Sequence, residues 1–265
     1  MTQRSRIAAA LALVVVMVVA GCSTSEDEEK QLSPLALKEQ VSSIEKSSNG
    51  YVVTWAGVLG NANRWHFGEN AVALISARDA AGKEVVHMEQ PLDAVPPGRS
   101  LAFTGEAMSK VKPEHVKIDY RPASWRPVAR IPSAFRAFPV SDVVTDKLDA
   151  GSYLVTGYIS DPFRKAVSSL VVTALLRDDA GTLIGGGTTF VDDVRAEIKR
   201  RFVITVPGVK GKVADTDVSV RTWGATAKPY EELVAGGTIP VNVTKPTTKP
   251  FAKDRGYPLI GDRRP

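Results

Sequence analysis

The chain writes the same turn twice. "RDAAG" at 78–82 returns as "RDDAG" at 177–181, and the segments around it return in the same order. "YVVTWAGV" (51–58) matches "YLVTGYIS" (153–160), "AVALISARDAAGKEVV" (71–86) matches "LVVTALLRDDAGTLIG" (170–185), and "HVKIDY" (115–120) matches "DVSVRT" (217–222). The offset is 102 at the tyrosines, 99 at the turns and 102 at the last match, as a duplication with a small change in loop length would leave. A repeat sets the folding unit, so whatever copy one (41–125) folds into, copy two (140–223) must fold into as well.

Each copy reads as β. Val116, Ile118 and Tyr120 alternate with Lys117 and Asp119, and Phe202, Ile204 and Val206 alternate in the same way. A period of two places one face in a core and the other in solvent. The runs "ALIS" and "LVVTALL" are apolar on both faces and read as central strands. Turn signals separate the runs: "SSNG", "AAGK" and "VPPG" in copy one, "LDAG" and "DDAG" in copy two. Asp and Asn hold such turns through their side chains and Gly supplies positive φ. Short strands at this spacing, without a convincing helix, predict an all-β fold of two tandem small antiparallel β-sandwiches, with two small barrels as the alternative that shares most of these signals. Residues 126–139, with three prolines, read as a semi-stiff linker. From 224 onward the pattern decays, and 224–265 reads as a basic, loosely packed tail in which 236–244 could add one strand.

A strand ending in Asp, a small residue and Gly, then a strand, then "PPG" before an aromatic strand resembles the FxLYD-type domain. Copy one carries it best, in "ARDAAGKEVV" and "PPGRSLAF". The motif's Tyr position holds Arg78 and Arg177, its Phe position Ile75 and Ala174, while Asp79 and Asp178 remain. The resemblance implies small immunoglobulin-like sandwiches on extracellular bacterial lipoproteins, often in tandem, with no catalysis.

The N-terminus points to the same compartment. Arg4 and Arg6 precede a fourteen-residue apolar run, Ile7 to Ala20, which suits a signal peptide and is short for a membrane span. "VAGC" follows and resembles a lipobox: Val19, Ala20 and Gly21 form the cleavage motif of a signal peptide spanning 1–21, and Cys22 takes the lipid. Cys22 is the only cysteine of the chain, so no internal disulfide competes for it. Stable anchoring needs more than one acyl chain, each buried methylene adding about 0.8 kcal/mol. Residues 22–40, opening "CSTSEDEEK", read as a flexible tether.

Net charge argues against nucleic acid. The formal charge is +5, but removing 1–21 leaves +3, and 245–265 alone carries +4, so the body between them is near −1. A nucleic-acid partner needs a basic face on the folded part itself.

No arrangement for catalysis stands out. The three histidines, His66, His87 and His115, lie on different segments of copy one, and His87 in "EVVHME" occupies a solvent-facing strand position. "GxSxG" is absent, and the adjacent pairs Asp178–Asp179 and Asp192–Asp193 point apart on a strand. The triple glycine at 185–187 is followed by no helix and reads as a crowded strand rather than a phosphate loop. No metal site and no cofactor are expected. The loop after the tyrosine strand sets an aromatic beside Arg in both copies: Arg64, Trp65 and Phe67 in one, Phe163 and Arg164 in the other. These are candidate contact loops, against the plainer reading that the aromatics plug the sandwich ends. The expectation is a lipid-anchored, non-enzymatic protein facing outside the cytoplasm. Its modules act as spacers or contacts for an envelope protein or polymer. The alternative is binding of a small ligand or metal ion, in a cleft between the copies.

Overall fold

The computed structural model describes residues 32–128, 130, 134–149, 151–196 and 198–239. The signal peptide, with Val19, Ala20, Gly21 and Cys22, and the tail beyond 239 lie outside the described residues. The first half comprises β1 (Ala36–Ser47), β2 (Gly50–Gly60), β3 (His66–Glu69), β4 (Val72–Arg78), β5 (Glu84–Pro91), β6 (Ser100–Ser109), β7 (His115–Arg121) and β8 (Ser124–Pro127). The second comprises β9 (Val140–Asp149), β10 (Ser152–Ile159), β11 (Val167–Arg177), β12 (Leu183–Val194), β13 (Arg200–Val206) and β14 (Asp215–Thr222), followed by the helix α1 (Lys228–Ala235).

Strand order repeats with the sequence. The first half pairs β1-β2-β6 and β5-β4-β7; the second pairs β9-β10-β13 and β12-β11-β14, all antiparallel. The duplicated turn is the same object in both places. Asp79 Oδ1 accepts from Ala81 N and Lys83 N at 3.0 and 2.9 Å; Asp178 Oδ1 accepts from Ala180 N and Thr182 N at 3.0 and 2.8 Å. Gly82 and Gly181 close them at φ 80° and 77°, a conformation other residues adopt only under strain. A second device recurs: the Phe103 ring covers Gly57 on β2, and the Phe202 ring covers Gly157 on β10. A Cβ on either glycine would lie 2.5 or 2.7 Å from ring carbon.

Apolar residues form one layer inside each half. Val53, Trp55, Ile75 and Phe103 belong to the first, and Val155, Leu170, Val172 and Ile204 to the second. Alternation along the strands explains this, since residues two apart share a face. The second layer extends to the end of its sandwich, where Phe67, Phe135, Phe138, Phe163 and Tyr230 form an aromatic cluster.

Three expectations are corrected. β1 begins at Ala36, so the end of the supposed tether is strand. The linker is not merely a connection: β8 reaches Pro127 and pairs with β3, and Phe135 and Phe138 are buried in the second half's core. Within the described residues the chain after 224 is not a loose tail: Pro229 opens α1, and Tyr230, Leu233 and Val234 bury one helical face. Of the strand expected at 236–244, the described residues show the bridge from Thr238 to Phe163, with bonds from Ile239 N to Pro162 O and from Arg164 N to Gly237 O.

Candidate functional site

The site grows out of how the two halves meet. On β2, Trp55 and Leu59 point into the first core, which leaves Thr54, Ala56 and Val58 on the opposite face. Ala102 and Thr104 on β6 continue that face, as their pairing with Val58 and Ala56 requires. On the other side, Leu175 of β11 and Leu183 of β12 turn away from the second core. They bury against Ala56, Val58 and Ala102. Small residues let the sheets come close: a Cβ on Gly186 would meet Thr104 Cγ2 and Ala174 O, both at 2.9 Å. The triple glycine is therefore the crowded strand that its sequence implied, with a bulge beside it between Leu176 and Arg177.

Polar groups fasten the edges of this contact. Arg177, at the repeated turn, donates to both oxygens of Glu39 on β1, at 2.6 and 3.1 Å, and to Asp217 at 2.6 Å. The hydrogen bonds to Glu39, then those to Asp217, push its guanidinium further up from the ordinary arginine value. Arg221 on β14 reaches Asp93 of the first half at 2.6 Å and Thr173 at 2.8 Å. Burial pushes the Arg221 guanidinium down, and the Asp93 carboxylate opposes that shift. Asp93 also accepts from Gly224 N, and Glu69 accepts from Ala227 N. Thr104 and Thr188 share a hydrogen bond of 2.7 Å across the two halves, and Thr188 bonds Thr173 at 3.0 Å.

Beside these fastenings the halves separate into a cleft of about 460 Å³. Its walls come from both: Gln90, Asp93 and Glu106 on one side, Thr188, Phe190 and Arg221 on the other. Gln90 is fixed in place, accepting from Trp55 Nε1 and donating to Thr104 O, both at 2.9 Å. Two aromatic rings stand at the rim. Phe190 and Trp223 are 56% and 64% exposed and meet edge to face, with centroids 6.1 Å apart. An adjoining pair of exposed aromatics is a candidate contact surface, as a single exposed apolar residue is not. Trp223 also borders a second hollow of about 210 Å³, lined by Ser168, Ser169 and Thr222.

The residues singled out from sequence are divided by the structure. Phe67 and Phe163 are fully buried in the aromatic cluster, Phe67 reaching from the first half into the second half's core, so neither makes an outward contact. Arg64, Trp65 and Arg164 remain at the surface, Trp65 being 55% exposed. None of the five lines the cleft. His87 is exposed and sits 3.4 Å from Glu84. Among the described residues no three His, Cys, Asp or Glu side chains converge as metal ligands would, and no helix is long and apolar enough to cross a membrane. Phe190, Trp223, Arg221 and Asp93 were not legible as a group. The one available signal was Phe190 itself, an aromatic at an outward position of a strand that also carries Thr188. No family model matches this chain, and a search of curated proteins finds no match for it.

Proposed function

We propose that the chain is an envelope lipoprotein moored outside the cytoplasm by acyl chains on Cys22. In this reading its two sandwich halves, of the FxLYD type, form a non-enzymatic contact module. One observation carries the choice of contact over loose spacing: Arg221–Asp93, Arg177–Glu39 and Thr104–Thr188 bind the halves face to face. A spacer needs only length, whereas a contact surface built from both halves needs them held in register. The cleft is that surface, and the exposed pair Phe190–Trp223 is its anchor, since aromatics combine area with few rotatable bonds.

Two experiments test this reading. Cys22→Ser is expected to move the protein from the membrane to the soluble fraction. Retention at the membrane would overturn the anchor. Capture by isolated envelopes of the full chain carrying Cys22→Ser is expected to fall when Trp223→Ala or Phe190→Ala is added. Capture indifferent to both would overturn the cleft as the contact surface.

A second reading, binding of a small ligand, is favoured by the cleft's volume of about 460 Å³. That lies within the range of small-molecule sites. Thermal shift against a panel of metabolites separates the two, because a saturating ligand raises stability by a few kcal/mol.

A further inference from the structure

Three properties of the cleft limit what it accepts. First, its polar side chains are mostly hydroxyl and amide groups: Thr54, Thr104, Thr188, Thr205 and Gln90. Thr104 and Thr188 bond each other, Thr54 bonds Ser43, and Gln90 bonds Trp55 and Thr104. A ligand therefore meets the remaining lone pairs of these hydroxyls and the second N–H of Gln90, which match groups that both donate and accept. Second, the charged groups of the lining are Asp93, Glu106 and Arg221, a surplus of one negative charge. A phosphate or other polyanion finds no excess of cations here. Third, the hydrophobic part of the rim is two aromatic rings, and bare ring faces suit a ligand with flat patches of C–H among its polar groups.

The second hollow fixes the shape of the occupant. It shares Trp223 with the cleft and continues the same chemistry through Ser168, Ser169 and Thr222. Its charged lining, Lys165 and Glu232, is internally paired at 3.1 Å. A compact metabolite would fill one hollow or the other. Arg221 lines the cleft and Thr222 the hollow, so the two open on opposite faces of β14, and a chain bent round Trp223 at the strand's end engages both.

We infer that the cleft and its neighbouring hollow bind a neutral polysaccharide chain, with a sugar ring seated on Trp223 and its hydroxyls on the flanking Thr, Ser and Gln side chains. This rests on the reading of the cleft as the contact surface and adds the chemical class of the partner. The contact is non-covalent and leaves the chain intact.

The test uses the full chain carrying Cys22→Ser and the glycan fraction of the producing cell's envelope, lipid-extracted and protease-treated. Capture by that fraction is expected to persist, to fall at least ten-fold with Trp223→Ala, and to stay within two-fold with Trp65→Ala. Periodate, which cleaves vicinal diols, is expected to abolish capture. Both tryptophans are more than half exposed, so neither variant threatens folding, and an unchanged melting temperature verifies this. If protease treatment removes capture while Trp223→Ala still weakens capture by untreated envelopes, the partner is a protein. The polysaccharide inference then falls and the contact surface stands. If periodate and acid hydrolysis of the glycosidic bonds both leave capture unchanged, the inference falls as well. If Trp223→Ala and Phe190→Ala leave capture by untreated envelopes unchanged, the contact surface itself fails, and the polysaccharide with it.

Discussion

Arg177 grips Glu39 with two guanidinium nitrogens, at 2.6 and 3.1 Å, and so ties the repeated turn of the second half to the first strand of the first. Its counterpart Arg78 occupies the same place in the other copy and is exposed. One residue of a duplicated motif has been put to a use that the other lacks.

Removing that grip should loosen the joint. Arg177→Ala is expected to cost about 1–3 kcal/mol, the range for a charge-assisted hydrogen-bonded partner. Arg78→Ala should stay within about 0.5 kcal/mol, as an exposed surface change does. Urea melts of the two variants check the contrast. A double-mutant cycle of Arg177→Ala with Glu39→Ala should give a coupling that weakens as salt rises.

At Gly186 a first-half side chain comes up against the backbone of the second half. Gly186→Val places atoms against Thr104 and Ala174 O, and overpacking of this kind costs about 1–3 kcal/mol. A Cβ at Gly181 meets nothing within 4 Å, so Gly181→Ala pays only for the strained φ of 77°. That is about 1 kcal/mol. The expected order of melting temperatures is wild type, then Gly181→Ala, then Gly186→Val, and the reverse order would contradict the face-to-face joint.

Asp161 carries a pH dependence. Its Oδ1 accepts from Phe163 N at 2.8 Å, while its Oδ2 is buried with no hydrogen-bond partner among the described residues. Burial pushes the carboxyl up to about 6, and the bond from Phe163 N opposes that shift. A folded value above the unfolded one means that protonation favours the folded state. The contribution is therefore complete below about pH 4 and is lost as pH rises through about 6. Linkage puts the loss at no more than about 3 kcal/mol. Asp161→Asn keeps the acceptor at Oδ1 and cannot ionise. Its stability should be flat between about pH 4 and 7, where the wild type declines. A parallel decline in both would show that another group titrates.

The two aspartate turns should behave as twins. Asp79→Ala and Asp178→Ala each remove one acceptor serving two backbone N–H groups. Each is expected to cost about 1 kcal/mol, like the loss of a helix cap. With no shared partner the two costs should add in the double variant.

The sequence made the turns legible because their chemistry is local: an Asp, two short residues and a Gly are enough. Strand periodicity was legible for the same reason, and "LVVTALL" was rightly read as buried on both faces. What covers the second face was not legible. Ala56, Ala102 and Gly186 are small residues in strands, and nothing in their order says that they meet. The pairing of Gly57 with Phe103 and of Gly157 with Phe202 escaped the alignment of the copies, because the tyrosines align at an offset of 102 whereas the glycines stand 100 apart and the phenylalanines 99. The helix α1 escaped because eight residues give scarcely two turns of periodicity. The cleft was legible only as an idea, since Glu106 in one wall and Val171 in the other are the lining residues nearest in sequence and still lie far apart along the chain.

Tandem copies of a small fold usually melt like beads on a string, each at its own temperature. Here Ala56, Val58 and Ala102 would meet water if the second copy came apart, and Leu175 and Leu183 would if the first did. Neither copy can be lost without stripping the other, so heating should give a single calorimetric transition whose enthalpy matches the whole body. A fragment ending between the copies should aggregate rather than stand alone.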